Sequence, residues 1–381
     1  MNLLDRHLFR SILGTCIAAV CLFAFVLMSV NIIRELIGPL LSGQLSPAAF
    51  ARLVLLLVPV VISYALPLGM LTAVLLTLGR LSSDSEITAM RAAGLSLPRI
   101  AAPILVLAAL GVALGLRVNF ESMPRAKIEY EREFAAAVRA NPLSFIVPKT
   151  FIREFPGVVV YVGSKDGPDL RDIWFWQLDG ERRVVRFVHA ESGRVDYDEA
   201  TNEFVIPVSN AHVEDYDRKA PEDFTLPLKV NTFEEVAPIR LSLAQYFGAG
   251  TVRQKLPWMT YSELTDERAR LEAAPVPPGG ARQRDRDIMK VTLTIQDKVN
   301  MALAIFSFAL IGIPLGIRVS RRETSANLGV AVMLALGYYL LTVMVGWLDR
   351  HPEYRPDLLL WIPNLVILGT GVWMLRRLDR A

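Results

Sequence analysis

LVLLLVPVVISYALPLGMLTAVLLTLG, residues Leu53–Gly79, lies between Arg52 and Arg80 and contains no charged residue. A helix rising about 1.5 Å per residue needs roughly 20 apolar residues to cross a hydrocarbon layer about 30 Å thick, so this stretch can span a bilayer with residues to spare. Backbone N–H and C=O groups find no water there, which leaves helix as the form for a single spanning segment. Pro59 and Pro67 interrupt its hydrogen-bond ladder and predict a bent helix whose freed carbonyls face protein or a cavity.

Five further uncharged windows flank it: Ser11–Ile33 before, and Ile100–Leu116, Val299–Ile317, Thr324–Leu348 and Leu358–Leu375 after. Each has at least 17 residues, so the sequence predicts six transmembrane helices. Arginine sets their direction. One set of ends carries Arg6 and Arg10, then Arg80, Arg91 and Arg99, then Arg318, Arg321 and Arg322, then Arg376, Arg377 and Arg380. The opposite short ends carry Arg34, Arg52, Arg350 and Arg355, diluted by Asp349, Glu353 and Asp357. By the excess of basic residues in cytoplasmic loops, both termini are expected inside, and the long hydrophilic stretch after the third span is expected to be exported. The first window is too long for a cleavable signal peptide and no small-residue cleavage site precedes Arg34, so it is expected to stay as a helix.

Composition agrees with a membrane protein, at 52% hydrophobic residues and a positive mean hydropathy. A net charge of +3 with no basic run interleaved with aromatics gives a nucleic-acid reading nothing to rest on. Cys16 and Cys21 fall on different faces of the first span, which argues for apolar filling rather than a disulfide or metal pair.

The exported stretch holds short β-branched and aromatic runs at Val158–Val162, Ile173–Leu178, Val184–Val188, Phe204–Val208 and Phe224–Val230. Gly163–Gly167, Asp179-Gly180 and Asp198–Asn202 punctuate them, the pattern of a sandwich or barrel. Tyr261–Ala273 has the charge density of an exposed helix, and Pro275–Gly280 reads as a linker. The expected domains are therefore 1–117 (three spans), 118–274 (exported β domain), 275–298 (linker and return to the membrane) and 299–381 (three spans).

Motifs for catalysis are absent. There is no G-x-x-x-x-G-K-[ST], H-E-x-x-H or G-x-S-x-G, the four histidines (His7, His189, His212, His351) have no ligand spacing, and the uncharged windows hold no carboxylate pair. No cofactor is expected, and the chain does not read as an enzyme. Gly111 and Gly115, and Gly312 and Gly316 around Pro314, have the spacing that lets helices approach closely, more readily within the chain than between subunits.

Between the second and third spans, GRLSSDSEITAMRAAGLS (Gly79–Ser96) reads as a short helix in a cytoplasmic loop. Ser83 or Asp84 can cap its start, Asp84 and Glu86 suit its positive end, and Gly94 can terminate it. Its wording resembles the coupling segment of the lipopolysaccharide-export permeases, the LptF/LptG family. Leu66-Pro67-Leu68, Ile313-Pro314-Leu315-Gly316 and Trp361-Ile362-Pro363-Asn364-Leu365 extend the resemblance over nearly the whole chain, as does the layout of three helices, exported domain and three helices. Ala140-Asn141-Pro142 and the DSEIT wording lean toward the LptF branch. The helix and proline-rich linker over Tyr261–Gly280 are longer than the family pattern requires.

The resemblance implies a polytopic inner-membrane protein with a periplasmic β-jellyroll-like domain over 118–274 and a coupling helix at about 83–94. It implies a non-enzymatic permease subunit of an ABC-type exporter, paired with a paralogous permease and a cytoplasmic ATPase dimer. Its substrate would be lipopolysaccharide, taken from the outer leaflet and passed to a bridge of periplasmic jellyroll proteins. Glu86 is expected to contact the ATPase, with Met90 and Arg91 one turn on. Arg34 and Arg117, at the outer ends of the first and third spans, are expected to meet phosphorylated head groups or to snorkel. Arg34 is the stronger of the two, because the family's first and fifth spans form lateral gates. Ile173, Phe175, Val185, Phe187, Phe204 and Ile206 are expected on one sheet face, as core or as a lipid groove, with Trp174, Trp176 and Arg186 on the other. Two other classes stay open on the residues: a non-transporting receptor or scaffold with a ligand-binding β domain, and an intramembrane enzyme, which the missing acid–base pairs disfavour.

Overall fold

Each apolar window is a helix in the computed structural model, which describes residues 3–41, 45–140, 146–153, 155, 157–181, 183–198, 203–216, 229–242, 255–274, 281–318, 324–347 and 355–380. The helices are α1 (Leu3–Asn31), α2 (Ile37–Leu41), α3 (Pro47–Ser83), α4 (Glu86–Ala92), α5 (Leu97–Arg117), α6 (Met123–Ala140), α7 (Tyr261–Ala273), α8 (Ala281–Arg318), α9 (Thr324–Gly346), α10 (Pro356–Leu359) and α11 (Ile362–Asp379). Among the described residues, five helical stretches are long and apolar enough to cross a membrane: Leu4–Leu41, Pro47–Ser83, Leu97–Ala137, Arg282–Arg318 and Pro356–Asp379. The remaining window forms α9, which is 23 residues long. Large apolar side chains such as Phe25, Leu55, Met333, Leu340 and Trp347 are exposed on these helices, as lipid-facing surface requires.

The helices outrun their apolar windows. α5 passes through a π turn at Val118–Ser122 into α6, and α8 starts 18 residues before the window that predicted it. Charge ends a hydropathy window but does not end a helix, because Lys, Glu, Gln and Arg are good helix formers. Two compact units result. One comprises Met1–Arg34, Leu53–Tyr130 and Gln254–Ala381, and the other Glu35–Arg52 and Glu131–Arg253.

Within the first unit, glycines set the closeness of the helices. An added Cβ at Gly115 would meet Ile305 Cδ1 at 2.9 Å, and one at Gly316 would meet Leu78 Cβ at 3.0 Å. The small-residue pairs therefore serve packing within the chain, of α5 and α3 on α8. Around these approaches Leu8, Ile12, Met70, Val74, Leu78, Ile104, Ile305 and Ile313 form one buried cluster. Leu71, Leu75, Phe308, Tyr338 and Ile367 form a second. Cys16 is buried in the first cluster and Cys21 is exposed, as their spacing implied.

The second unit carries a curled seven-stranded antiparallel sheet: β1 (Phe151–Ile152), β2 (Val158–Asp166), β3 (Asp169–Leu178), β4 (Val184–Arg194), β5 (Asp196–Asp198), β6 (Glu203–Asp215) and β7 (Lys229–Ser242). β4 and β5 both pair with β6 and are separated by Val195 alone, so they act as one strand broken at that residue. The turn between β3 and β4 is built as its sequence suggested: Asp179 Oδ1 accepts from the N–H groups of Glu181 and Arg183, each at 2.9 Å. Phe224–Leu228, Pro275–Gly280, Asn141-Pro142 and the turn over 199–202 lie outside the described residues.

Gly69 tests the packing most sharply. A Cβ there would approach the backbone nitrogen of Val20 at 3.0 Å, whereas one at Gly14 would meet nothing within 4 Å. Gly69→Ala should destabilise the purified protein by about 1–3 kcal/mol in denaturation followed by Trp fluorescence, and Gly14→Ala should not lower stability.

Candidate functional site

The loop between α3 and α5 is fixed to the bundle at both ends. Ser82 Oγ donates to the carbonyl of Ile317 at the end of α8 (2.9 Å), and the Leu97 N–H donates to Asp379 Oδ1 of α11 (3.3 Å). Arg99 pairs with Asp5 of α1 at 2.8 Å. α4 begins after Ser85, which lies in the left-handed region at φ 61°, rather than at Ser83 or Asp84. It ends as the sequence suggested, in a Schellman turn with Gly94 at φ 86°: Gly94 N–H donates to Arg91 O (2.9 Å) and Leu95 N–H to Met90 O (3.1 Å).

This fixed helix sorts its residues. Ile87 and Met90 are buried in the bundle cluster, while Glu86 and Arg91 are exposed. Met90 thus anchors α4, and Glu86 and Arg91 form its free surface.

A second set of groups meets where the chain leaves the bundle after α5 and returns to it in α8. Lys298 is 6% exposed, and its Nζ donates to the carbonyls of Asn119 (3.0 Å) and Met259 (2.8 Å). Asn119 Nδ2 donates back to the carbonyl of Lys298 at 3.0 Å. Phe120, edge-on to Tyr261 at 5.4 Å, lies under the ammonium at 5.7 Å. Deeper in the bundle Asn364 joins three helices: its Nδ2 donates to Asn300 Oδ1 (2.9 Å) and Asn300 O (3.0 Å), its Oδ1 accepts from Ser307 (2.9 Å), and Tyr338 OH donates to Asn300 O (3.2 Å). Sequence reasoning missed both groups. Lys298 sits one residue before an uncharged window, and Asn364 lies within the Trp361–Leu365 motif with no signal of its own.

Arg34 and Arg117 are both exposed near the ends of their spans. Arg117 is paired with Glu121, which also binds Arg125 at 2.8 Å.

In the sheet, Ile173, Phe175, Phe204 and Ile206 share one buried cluster, each no more than 8% exposed. Phe187 does not join them. It stands directly across from Trp176 and stacks on it at 5.5 Å, with Trp174 at 5.7 Å, so it belongs to the opposite face, as does Val185 by alternation. Phe175 pairs instead with Val188. Each strand's alternation is legible in sequence, but the register between strands is not, and a shift of one residue exchanges the faces. On this aromatic face Asp172, at φ 56°, lies against Gly163, which is inside β2 and not in a turn. The Asp172 carboxylate accepts from Trp174 Nε1 at 2.6 Å and lies 2.9 Å from His189 Nε2, and these two contacts, the indole first, hold it below the usual carboxylate range.

Comparison with known proteins bears on what these parts serve. A family model described as lipopolysaccharide export system permease LptF/LptG matches residues 6–377. The lipopolysaccharide export system permease protein LptF of Escherichia coli K12 is 22% identical over 371 residues, covering 96% of this chain and 93% of the relative. The protein of the same name from Shigella flexneri matches to the same extent.

The asparagine network makes a prediction of its own. Asn364→Leu leaves the buried Asn300 Oδ1 without its donor and Ser307 with the Leu303 carbonyl of its own helix alone, and should cost about 1–3 kcal/mol in denaturant unfolding. Thr370→Val, at an exposed hydroxyl bonded to its own helix, should change stability by much less.

Proposed function

Because the chain belongs to the LptF/LptG family of lipopolysaccharide export permeases, we propose that it is one permease of an ATP-driven exporter whose ATPase is a separate cytoplasmic subunit docked on α4. The observation that carries this reading is the anchoring of α4: its apolar residues are sunk in the bundle, the helix ends that flank it are bonded to α8 and α11 through Ser82 and Leu97, and Glu86 and Arg91 remain free. A helix held in this way passes a push from a partner into three spans rather than dissipating it in a loop.

On this reading a paralogous permease completes the pathway, lipopolysaccharide is taken from the outer leaflet, and the sheet lies in the periplasm and hands lipid to further jellyroll proteins. Glu86 accepts from a basic side chain of the ATPase, and Arg91 flanks it. Arg34, which is exposed, is the better candidate for a phosphate contact than Arg117, whose guanidinium already has a carboxylate. Acyl chains run along the Ile173, Phe175, Phe204 and Ile206 face of the sheet.

Glu86→Ala should lower lipid-stimulated ATP turnover of the assembled complex by about tenfold without lowering the amount of this chain in the membrane. Unchanged turnover and assembly would remove Glu86 from the contact. In the same complex, photo-cross-linkers at Ile173 and Phe175 should capture lipid and those at Trp174 and Trp176 should not. The reverse pattern would move the lipid path to the aromatic face.

A further inference from the structure

Near Lys298 the first unit has an open cavity of about 480 Å³, between the sequence-adjacent ends of α5 and α6 and the helices α3, α8 and α9. This is the size of a site for a small molecule or a head group. Much of its wall is apolar, formed by residues such as Met301, Val343 and Leu360. Its chemistry is decided by which polar hydrogens are already committed.

Three aliphatic hydroxyls line the cavity, and each gives its proton to its own helix: Ser63 to Pro59 O (3.3 Å), Thr294 to Lys290 O (2.8 Å) and Thr342 to Tyr338 O (3.0 Å). A hydroxyl has one proton, so lone pairs are all that these groups offer a guest. Asn119, 3% exposed, donates one of its two amide N–H groups to Lys298 O, while its Oδ1 is buried without a partner among the described residues. Lys298 is committed to two carbonyls, and Lys290 reaches Asp287 at 3.7 Å. Asp297, exposed on the same wall, adds a carboxylate. Tyr64, whose hydroxyl can act in either sense, completes the polar wall.

The wall therefore presents unmet oxygens and the Asp297 carboxylate around an apolar interior, beside two ammonium groups, Lys298 and Lys290, that are turned to acceptors of their own. A quaternary amine would bring no N–H to the unpaired oxygens. We propose that the cavity binds the primary ammonium of an amine-bearing lipid, with Asp297 and Asn119 Oδ1 accepting from the –NH₃⁺ group and the apolar wall receiving the lipid body. The lipid is either a resident aminophospholipid of the bilayer or an amine-substituted glycolipid. The proposal does not depend on the α4 contact and is tested without ATP.

The full-length protein, purified in detergent, is offered phosphatidylethanolamine, phosphatidylcholine or phosphatidylglycerol, and separately lipid A with and without phosphoethanolamine, and lipid retention is read by native mass spectrometry. Phosphatidylethanolamine, or amine-substituted lipid A, or both, should be retained about tenfold more than the counterpart lacking a primary amine, and whichever is retained identifies the source. Asp297→Asn should erase the preference and Asp297→Glu should preserve it, with both variants eluting as the parent does on size exclusion. Equal retention of phosphatidylcholine or phosphatidylglycerol, or an unchanged preference in Asp297→Asn, overturns the proposal. Either result leaves the ATPase-coupling reading where its own turnover assay puts it.

Discussion

A buried lysine fixes where the membrane bundle opens and closes. Removing an ammonium group from water costs several kcal/mol unless its hydrogens are met, and here two main-chain carbonyls, Asn119 O and Met259 O, meet them. Asn119 lies in the π turn that carries α5 into α6, and Met259 caps the short 3-10 turn Leu256–Trp258. Asn119 returns the bond through its side chain, so exit and return are held by reciprocal hydrogen bonds and by the Phe120–Tyr261 contact. Apolar packing alone could not set this geometry, since apolar contacts are non-directional.

α8 links this point to the far end of the bundle. Its 38 residues make about 57 Å of unbroken helix at about 1.5 Å per residue. At its middle Lys298 is pinned and Asn300 and Ser307 are bonded to Asn364, and at its C-terminal end Ile317 accepts from Ser82 beside the loop helix. Gly312 and Gly316 keep it in close contact with α3. A displacement at α4 therefore meets a stiff element along its whole length rather than a set of independent spans.

The membrane architecture was legible in the sequence because the bilayer imposes a simple rule: a span is a length without charge, and six such lengths were visible. α4 was legible too, since Gly94 is a local signal for a helix end and the structure uses it so. Three things were not. Helix ends in charged sequence carry no hydropathy signal, so α6 and the start of α8 were missed. Lys298 reads in sequence as the boundary of a window, because composition cannot show that two carbonyls wait for it. Phe187 was put on the wrong face because the pairing of β3 with β4 depends on a three-dimensional register that neither strand encodes alone.

The reciprocal bonds between Asn119 and Lys298 also bear on the order in which the molecule is made. Their partners are separated by 179 residues, all of which must leave the ribosome before the contact can form. Until then the third span ends in a buried-type asparagine with no partner for its amide, and the fourth has yet to be inserted. Completion of the bundle is thus a late step, reached only after the intervening sheet segment has been synthesised. A chain stalled or cleaved within that segment leaves a membrane half in which Asn119 lacks its Lys298 partner.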